Sequence, residues 1–397
     1  HLHSGLFWIA GVLFFTLAFG AVTSDVVQIG GAIGNVNRNA PFVIVQILGV
    51  MSILGAFVTT AFVASGVVRD YELRTEGVFF TTPVGKLQYL LGRFGGAFFV
   101  AILIYVAVVL AIALGSFMPW LEPERVGPFM PGAYLWALAW VIVPNIFLMS
   151  AFFFSVATIT RTLWGTYTGL VAFFVGYMVA GTLLSDLESQ TLASFLDPFS
   201  FAAFDIATQY WTTAERNTQL LAVEGPFLWN RLLGVGLALL ILALTVWRFS
   251  FSGSPARKRK ADARQAAGEE REDLASEQFR PGDTLTGSSL SLDHSRGAAW
   301  KQLLHNIRFE VGTVIRSKIF LILLVLGMLN LIGSASVIDQ LYGTPVYPRT
   351  YLLIQSIESA FLLFVVLVLT FYSGELVFRD RQEGVEEVHD TLPAPNW

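Results

Sequence analysis

Nearly continuous apolar stretches recur along the chain, at about 6–23, 42–68, 95–118, 132–159, 163–184, 227–248, 318–338 and 351–378. Each reaches the ~20 residues that a helix needs to cross the hydrocarbon layer. None alternates with a period of two, and backbone polar groups in lipid must be satisfied within each segment, so the pattern predicts eight spanning helices and no strands. The first stretch lacks the cationic start and small-residue cleavage site of a signal peptide and reads as a true span. Two segments depart from the pattern. Residues 251–298 hold few aliphatics, eight cations against eight acids, and recurrent Gly, Ser and Pro. Such a segment buries too little apolar surface to offset its ordering entropy and reads as a flexible linker. Residues 299–317 then place Leu303, Leu304, Ile307, Val311, Val314 and Ile315 at helical spacing, with Lys301, Arg308 and Glu310 opposite. This pattern predicts an amphipathic helix lying in the membrane interface just before the seventh span.

Charge orients the spans. With the N-terminus in the cytoplasm, the inner segments collect 20 of the 25 Lys and Arg residues, and the outer side keeps only Arg38, Arg125, Arg216, Arg231 and Arg349. That is the bias of an inner-membrane protein with cytoplasmic positive charge. Trp120, Trp136, Trp211 and Trp247 lie close to span ends or in outer loops, where an aromatic belt is expected. The run Arg257–Lys260 follows the sixth span and suits either a stop-transfer anchor or contact with anionic headgroups.

Composition narrows the chemistry. Of 397 residues, 54% are hydrophobic and 14% charged, against ~25% charged in a soluble domain. A water-soluble enzyme of this size is excluded. Cysteine is absent, which removes disulfides, thiolate metal sites and cysteine nucleophiles together. No GxxxxGK[ST] phosphate loop occurs, since the nearest string at 77–87 has the wrong spacing. His1, His3, His294, His305 and His389 are scattered without an i, i+4 pair, so no metal site and no catalytic residue is expected.

An internal repeat is the most informative feature. RDYELRTEGVFFTTP at 69–83 aligns without a gap on RDRQEGVEEVHDTLP at 379–393, matching Arg69/Arg379, Asp70/Asp380, Glu76/Glu386, Val78/Val388, Thr81/Thr391 and Pro83/Pro393. Each copy follows a long span that is itself preceded by another. The expected organisation is therefore a six-span unit at 1–250, a cytoplasmic linker at 251–298, and an interfacial helix with the first two spans of a second unit at 299–397. On this expectation the chain belongs to a longer protein, with four more spans to follow. The loop at 69–83 is short, charged and helix-competent until Pro83, which suits either a solvated turn or a lever for a soluble partner.

These features resemble ABC-2-type permeases, which carry six spans per unit, an interfacial helix before the first, and a charged coupling loop between the second and third. The strings SDVVQIGGAIGNVNRNAPFV at 24–43, LDPFSF at 196–201 and YWTTAERN at 210–217 look like those of permeases with two units and a C-terminal zinc aminopeptidase domain. The peptidase is absent here, as no HExxH occurs. The resemblance implies an all-α polytopic exporter subunit in the bacterial inner membrane. It implies a separate ATPase partner, which would hold the ATP and Mg, so no cofactor is expected in this chain. Arg69, Asp70, Glu72, Glu76, Gly77 and Pro83 would form the first docking element, and Arg379, Asp380, Glu383, Glu386 and Pro393 the second, where the order of Glu and Gly departs from the first. The partners are the ATPase and the lipid bilayer, with no nucleic acid.

Polar residues within spans add a few more candidates. Gln355 and Glu358 lie one turn apart in the eighth stretch, either on a pathway or as a rim acid beside Arg349. Asn145, after Pro144, and Asn330 are expected to join helices. The outer loop 185–226 mixes Asp186, Glu188, Asp197, Asp205, Glu215 and Glu224 with six aromatics, as suits a cap packed on the spans. Two other classes remain: a membrane anchor for an appended enzyme, and an ion-coupled transporter, which the scarcity of buried charge disfavours.

Overall fold

The computed structural model describes residues 4–24, 35–72, 84–184, 189–249 and 296–335, together with 340–341, 344–345, 350, 354, 365, 368–369 and 372–373. Its helices follow the apolar stretches closely: α1 (Gly5–Thr23), α2 (Pro41–Glu72), α3 (Lys86–Gly115), α4 (Pro131–Thr160), α5 (Leu163–Leu183), α6 (Gln190–Leu196), α7 (Phe201–Thr208), α8 (Thr213–Thr218), α9 (Gly225–Arg248), α10 (Arg296–Arg316) and α11 (Lys318–Ala335). Five of them, α1, α2, α3, α4 and α9, are long and apolar enough to cross a membrane. The chain is an all-α protein of multi-pass membrane type. An antiparallel pair of two-residue strands, Gln340–Leu341 with Thr344–Pro345, lies beyond α11 in the segment read as an outer loop.

The chain divides into two compact units, residues 1–249 with 318–371, and residues 250–317 with 372–397. In the first, α2 is central and packs on α3, α4 and α5. Helix α1 lies on α3, α9 lies on α4, and α11 lies on α5. The contact between α11 and α5 runs through Leu323, Val171 and Val175. It groups residues 318–371 with the first unit, whereas the sequence pattern divides the chain at 298. The second unit contains α10, whose Leu304, Ile307, Val311 and Ile315 are exposed alongside Lys301 and Arg308. Exposed apolar and cationic faces on one helix are what an interfacial position requires.

The core of the first unit is built from Phe14, Ile44, Leu48, Met51, Tyr105, Ile112, Ile146 and Phe227. Two glycines of α2 make its close approaches. A Cβ on Gly55 would stand 1.6 Å from the Tyr105 hydroxyl, and one on Gly49 would stand 2.8 Å from the Phe201 ring of α7. Any side chain at these positions would require the Tyr105 or Phe201 ring to move. Trp136, which the sequence assigns to the aromatic belt, stacks on the buried ring of Phe227 instead, while Trp120 and Trp247 are exposed as a belt requires.

Two helices depart locally from the apolar pattern. Helix α3 begins at Lys86, well before the apolar run at 95, because the Gln88 side chain closes on the Gly85 N–H and the amphipathic turns continue into the span. Helix α4 carries a π-helical bulge at Leu138–Ile142, where the Val143 N–H reaches the Leu138 carbonyl five residues back. Pro144 has no N–H to offer Trp140, and the wider turn carries the helix through it without a break.

Candidate functional site

Two polar clusters stand out in an otherwise apolar bundle, one at each end. The first lies where the end of α2 meets the start of α3. Arg69, Asp70 and Glu72 lie in the last turn of α2, not in a separate loop. Asp70 is buried, and both carboxylate oxygens accept from Arg93 of α3, at 2.8 and 2.6 Å. One of them also accepts from the Tyr89 hydroxyl at 2.8 Å. Arg93 is half-buried and lies over the Tyr89 ring. The Tyr89 ring stacks on Phe249, and Lys86 donates to the Trp247 carbonyl, so the foot of α9 is tied to the same junction.

Asp70 therefore faces inward, whereas the sequence groups it with docking residues. Its two-helix partnership forms because α3 starts early enough to bring Tyr89 and Arg93 level with it. Arg69 is exposed. Glu76, Gly77 and Pro83 lie outside the described residues, as do Gln355, Glu358 and the whole second docking element, Arg379, Asp380, Glu383, Glu386 and Pro393.

The second cluster lies at the opposite end, under a cap formed by α6, α7 and α8. Arg231, counted among the outer cations from sequence, is six residues into α9 and buried, about 9 Å along the helix at ~1.5 Å per residue. It is held there because polar side chains surround its guanidinium. Nη1 donates to Asn145 Oδ1 at 2.7 Å, Nε donates to Asn230 Oδ1 at 3.1 Å, and Nη2 donates to the same oxygen. Asn145 donates in turn to Ser52 Oγ of α2 at 3.0 Å and to the Phe199 carbonyl at 3.3 Å. Asn230 donates to the carbonyls of Ser194, Phe195 and Asp197, closing the end of α6. Asn145 thus joins α4 to α2, α9 and the cap, as expected of a polar residue inside a span. Ser150, five residues further along α4, is fully buried and its hydroxyl has no hydrogen-bond partner among the described residues.

The cap is organised by its own carboxylates. Asp197 Oδ1 accepts from the Phe199 N–H and Oδ2 from the Ala202 N–H, both at 2.9 Å, which fixes the turn into α7 with Ser200 at φ 64°. Burial raises the Asp197 pKa, against the lowering effect of these N–H groups and of the Arg231 charge. Burial also raises the Asp205 pKa, helped by Asp197 and opposed by Arg216. Thr212 and Glu215 form a reciprocal cap on α8, and the N–H and hydroxyl that Thr212 donates lower the Glu215 pKa.

Two of the strings that carry the family resemblance, 24–43 and 210–217, meet here through their described residues. The Asn37 N–H donates to Asn217 Oδ1 at 2.8 Å, Arg216 lies over the Phe42 ring, and Phe42 packs on Phe204. Arg38 donates to the Val22 carbonyl, and Asn39 pairs reciprocally with Gly127. These strings are conspicuous in the sequence, whereas the Arg231 cluster is not. Its one signal there is a cation inside an apolar run, which demands a buried partner.

Comparison with protein families, with curated proteins and with solved structures gives no match to this chain.

Proposed function

We propose that the chain is the membrane permease subunit of an ATP-driven exporter, with a separate ATPase docking on residues 69–83 and on their repeat at 379–393. Residues 1–250 form one six-span unit, 251–298 a cytoplasmic linker, and 299–397 the beginning of a second unit. The N-terminus faces the cytoplasm of a bacterial inner membrane.

The observation that carries this reading is the Asp70–Arg93–Tyr89 junction. A loop intended only to reverse the chain has no need of a buried, multiply bonded carboxylate at its base. A loop that receives force from a partner does, because the brace makes α2 and α3 move together. Asp70 is then the positioning residue, and Glu76 the contact.

The test is Glu76→Arg in the full protein. Loss of the co-purifying ATPase with the membrane protein still folded is the expected outcome. Undiminished co-purification would remove the coupling role and favour a membrane anchor. Orientation is tested separately. Since the chain has no cysteine, a single cysteine at Glu124 should react with an impermeant maleimide from outside the cell, and one at Lys86 only after lysis.

A further inference from the structure

A cavity of about 1010 Å³ opens between α4, α5 and α9, with α6 and α7 along its side. Cavities that take drug-sized ligands run to ~1,000 Å³. Its walls are mostly apolar, with the rings of Phe152, Phe173 and Phe201 presented by three different helices. The ionisable groups among its described lining residues are Tyr177 and two carboxylates, Asp197 and Asp205, with no Lys, Arg or His. Each carboxylate has a guanidinium within electrostatic reach, Arg231 for Asp197 and Arg216 for Asp205. Neither guanidinium lines the cavity. Arg231 is turned to Asn145 and Asn230, and Arg216 lies over Phe42. The carboxylates therefore form the negative side of a fixed charge arrangement whose open face is the cavity.

The two acids are not equivalent. Asp197 is committed to the backbone N–H groups of Phe199 and Ala202. Asp205 accepts no hydrogen bond among the described residues and remains available. A lipid acyl chain would satisfy the apolar walls but would leave both carboxylates against hydrocarbon, which is costly. A neutral ligand has the same defect. A positive charge removes it, and aromatic faces nearby add a further attraction for cations.

We propose that this cavity binds a bulky organic cation, with its apolar body against Phe152 and Phe173 and its charge at Asp205. Gly176 and Gly181 line the cavity on α5, and a Cβ at either meets nothing within 4 Å. A side chain can therefore branch from either position without its Cβ meeting a neighbour, and a bulky one there competes for the cavity, which provides a steric test independent of charge.

The experiment uses the full chain in nanodiscs of zwitterionic lipid. It measures equilibrium binding of tetraphenylphosphonium against tetraphenylborate, ions of the same shape and opposite charge. Saturable binding of the cation alone is expected, weakened about tenfold by Asp205→Asn and abolished by Gly176→Phe, with Gly181→Phe used if Gly176→Phe does not fold. Absence of saturable cation binding overturns the proposal. So does equal binding of the anion, or wild-type affinity in either the charge or the steric variant. No ATPase is present in this assay, so failure here leaves the coupling role of the 69–83 loop standing, and success does not depend on it.

Discussion

Asn145 and Arg231, 86 residues apart in sequence, meet inside the bundle, where the guanidinium donates to the side-chain carbonyl over 2.7 Å. A buried cation in a span is tolerated only with such partners. Asn145→Leu should leave Arg231 short of an acceptor and destabilise the protein by about 2–4 kcal/mol. Asn145→Asp keeps an acceptor facing Arg231 and should unfold much closer to the wild type. Thermal unfolding in mild detergent distinguishes the two, and equal losses would show that the side-chain amide serves Ser52 and Phe199 more than Arg231.

The brace at the other end makes a graded prediction. Tyr89→Phe deletes one of three side-chain bonds that Asp70 accepts among the described residues and should cost about 0.5–1.5 kcal/mol. Asp70→Ala leaves Arg93 and Tyr89 without their common acceptor and should cost about 1–3 kcal/mol, the half-exposed Arg93 recovering part through water. A larger loss for Tyr89→Phe than for Asp70→Ala, measured by the same unfolding, would reverse this ranking.

Gly55 and Tyr105 form a testable steric pair. Gly55→Ala places a methyl where the Tyr105 hydroxyl now stands and should cost about 1–3 kcal/mol. In a Tyr105→Phe background the closest clash is gone, though the ring carbon remains within 2.7 Å, so the cost should shrink without vanishing. A double-mutant cycle reads the coupling directly. Strict additivity would mean that the helices have shifted apart.

The carboxylates of the cap give a pH dependence. Burial first, and Asp197 second, raise the Asp205 pKa in the folded state. The native chain therefore holds this proton at pH values where the unfolded chain has lost it. The stability it contributes is complete below the unfolded value of ~3.9 and is lost as pH rises through the higher folded value. Asp205→Asn should raise the unfolding midpoint at neutral pH by no more than about 2 °C, with the gap closing toward acidic pH. A gap that widens on acidification would contradict the sign.

The helices were legible in the sequence because a membrane imposes continuous apolar runs, and α1, α2, α4 and α9 begin and end near where those runs do. The start of α3 was not, since Lys86, Gln88 and Arg93 interrupt the apolar pattern while remaining good helix formers. Hydropathy sees the hydrocarbon boundary and not the helix end. The burial of Arg231 is illegible for a related reason. Its position near the start of a span suits an outer rim, and only the three-dimensional meeting with Asn145 and Asn230 shows it enclosed. The role of Asn145 as a joint between helices was readable from its chemistry, but its partners were not, because they come from α2, α9 and the turn before α7. Asp70 was conspicuous through the internal repeat, yet the repeat is silent about orientation, and its inward turn depends on the extra length of α3.

The bonds that seal the cap end also constrain the order of synthesis. Asn37 waits for Asn217, 180 residues later, and Asn145 waits for Arg231. Until α9 emerges, the side-chain carbonyl of Asn145 in α4 lacks the guanidinium that donates to it. Asn217 arrives with α8 and Arg231 only with α9, so the sealing of this end of the bundle is a late event. A chain halted before α9 is recognisably unfinished, and membrane proteases that survey exposed polar groups in spans have a physical mark by which to remove it.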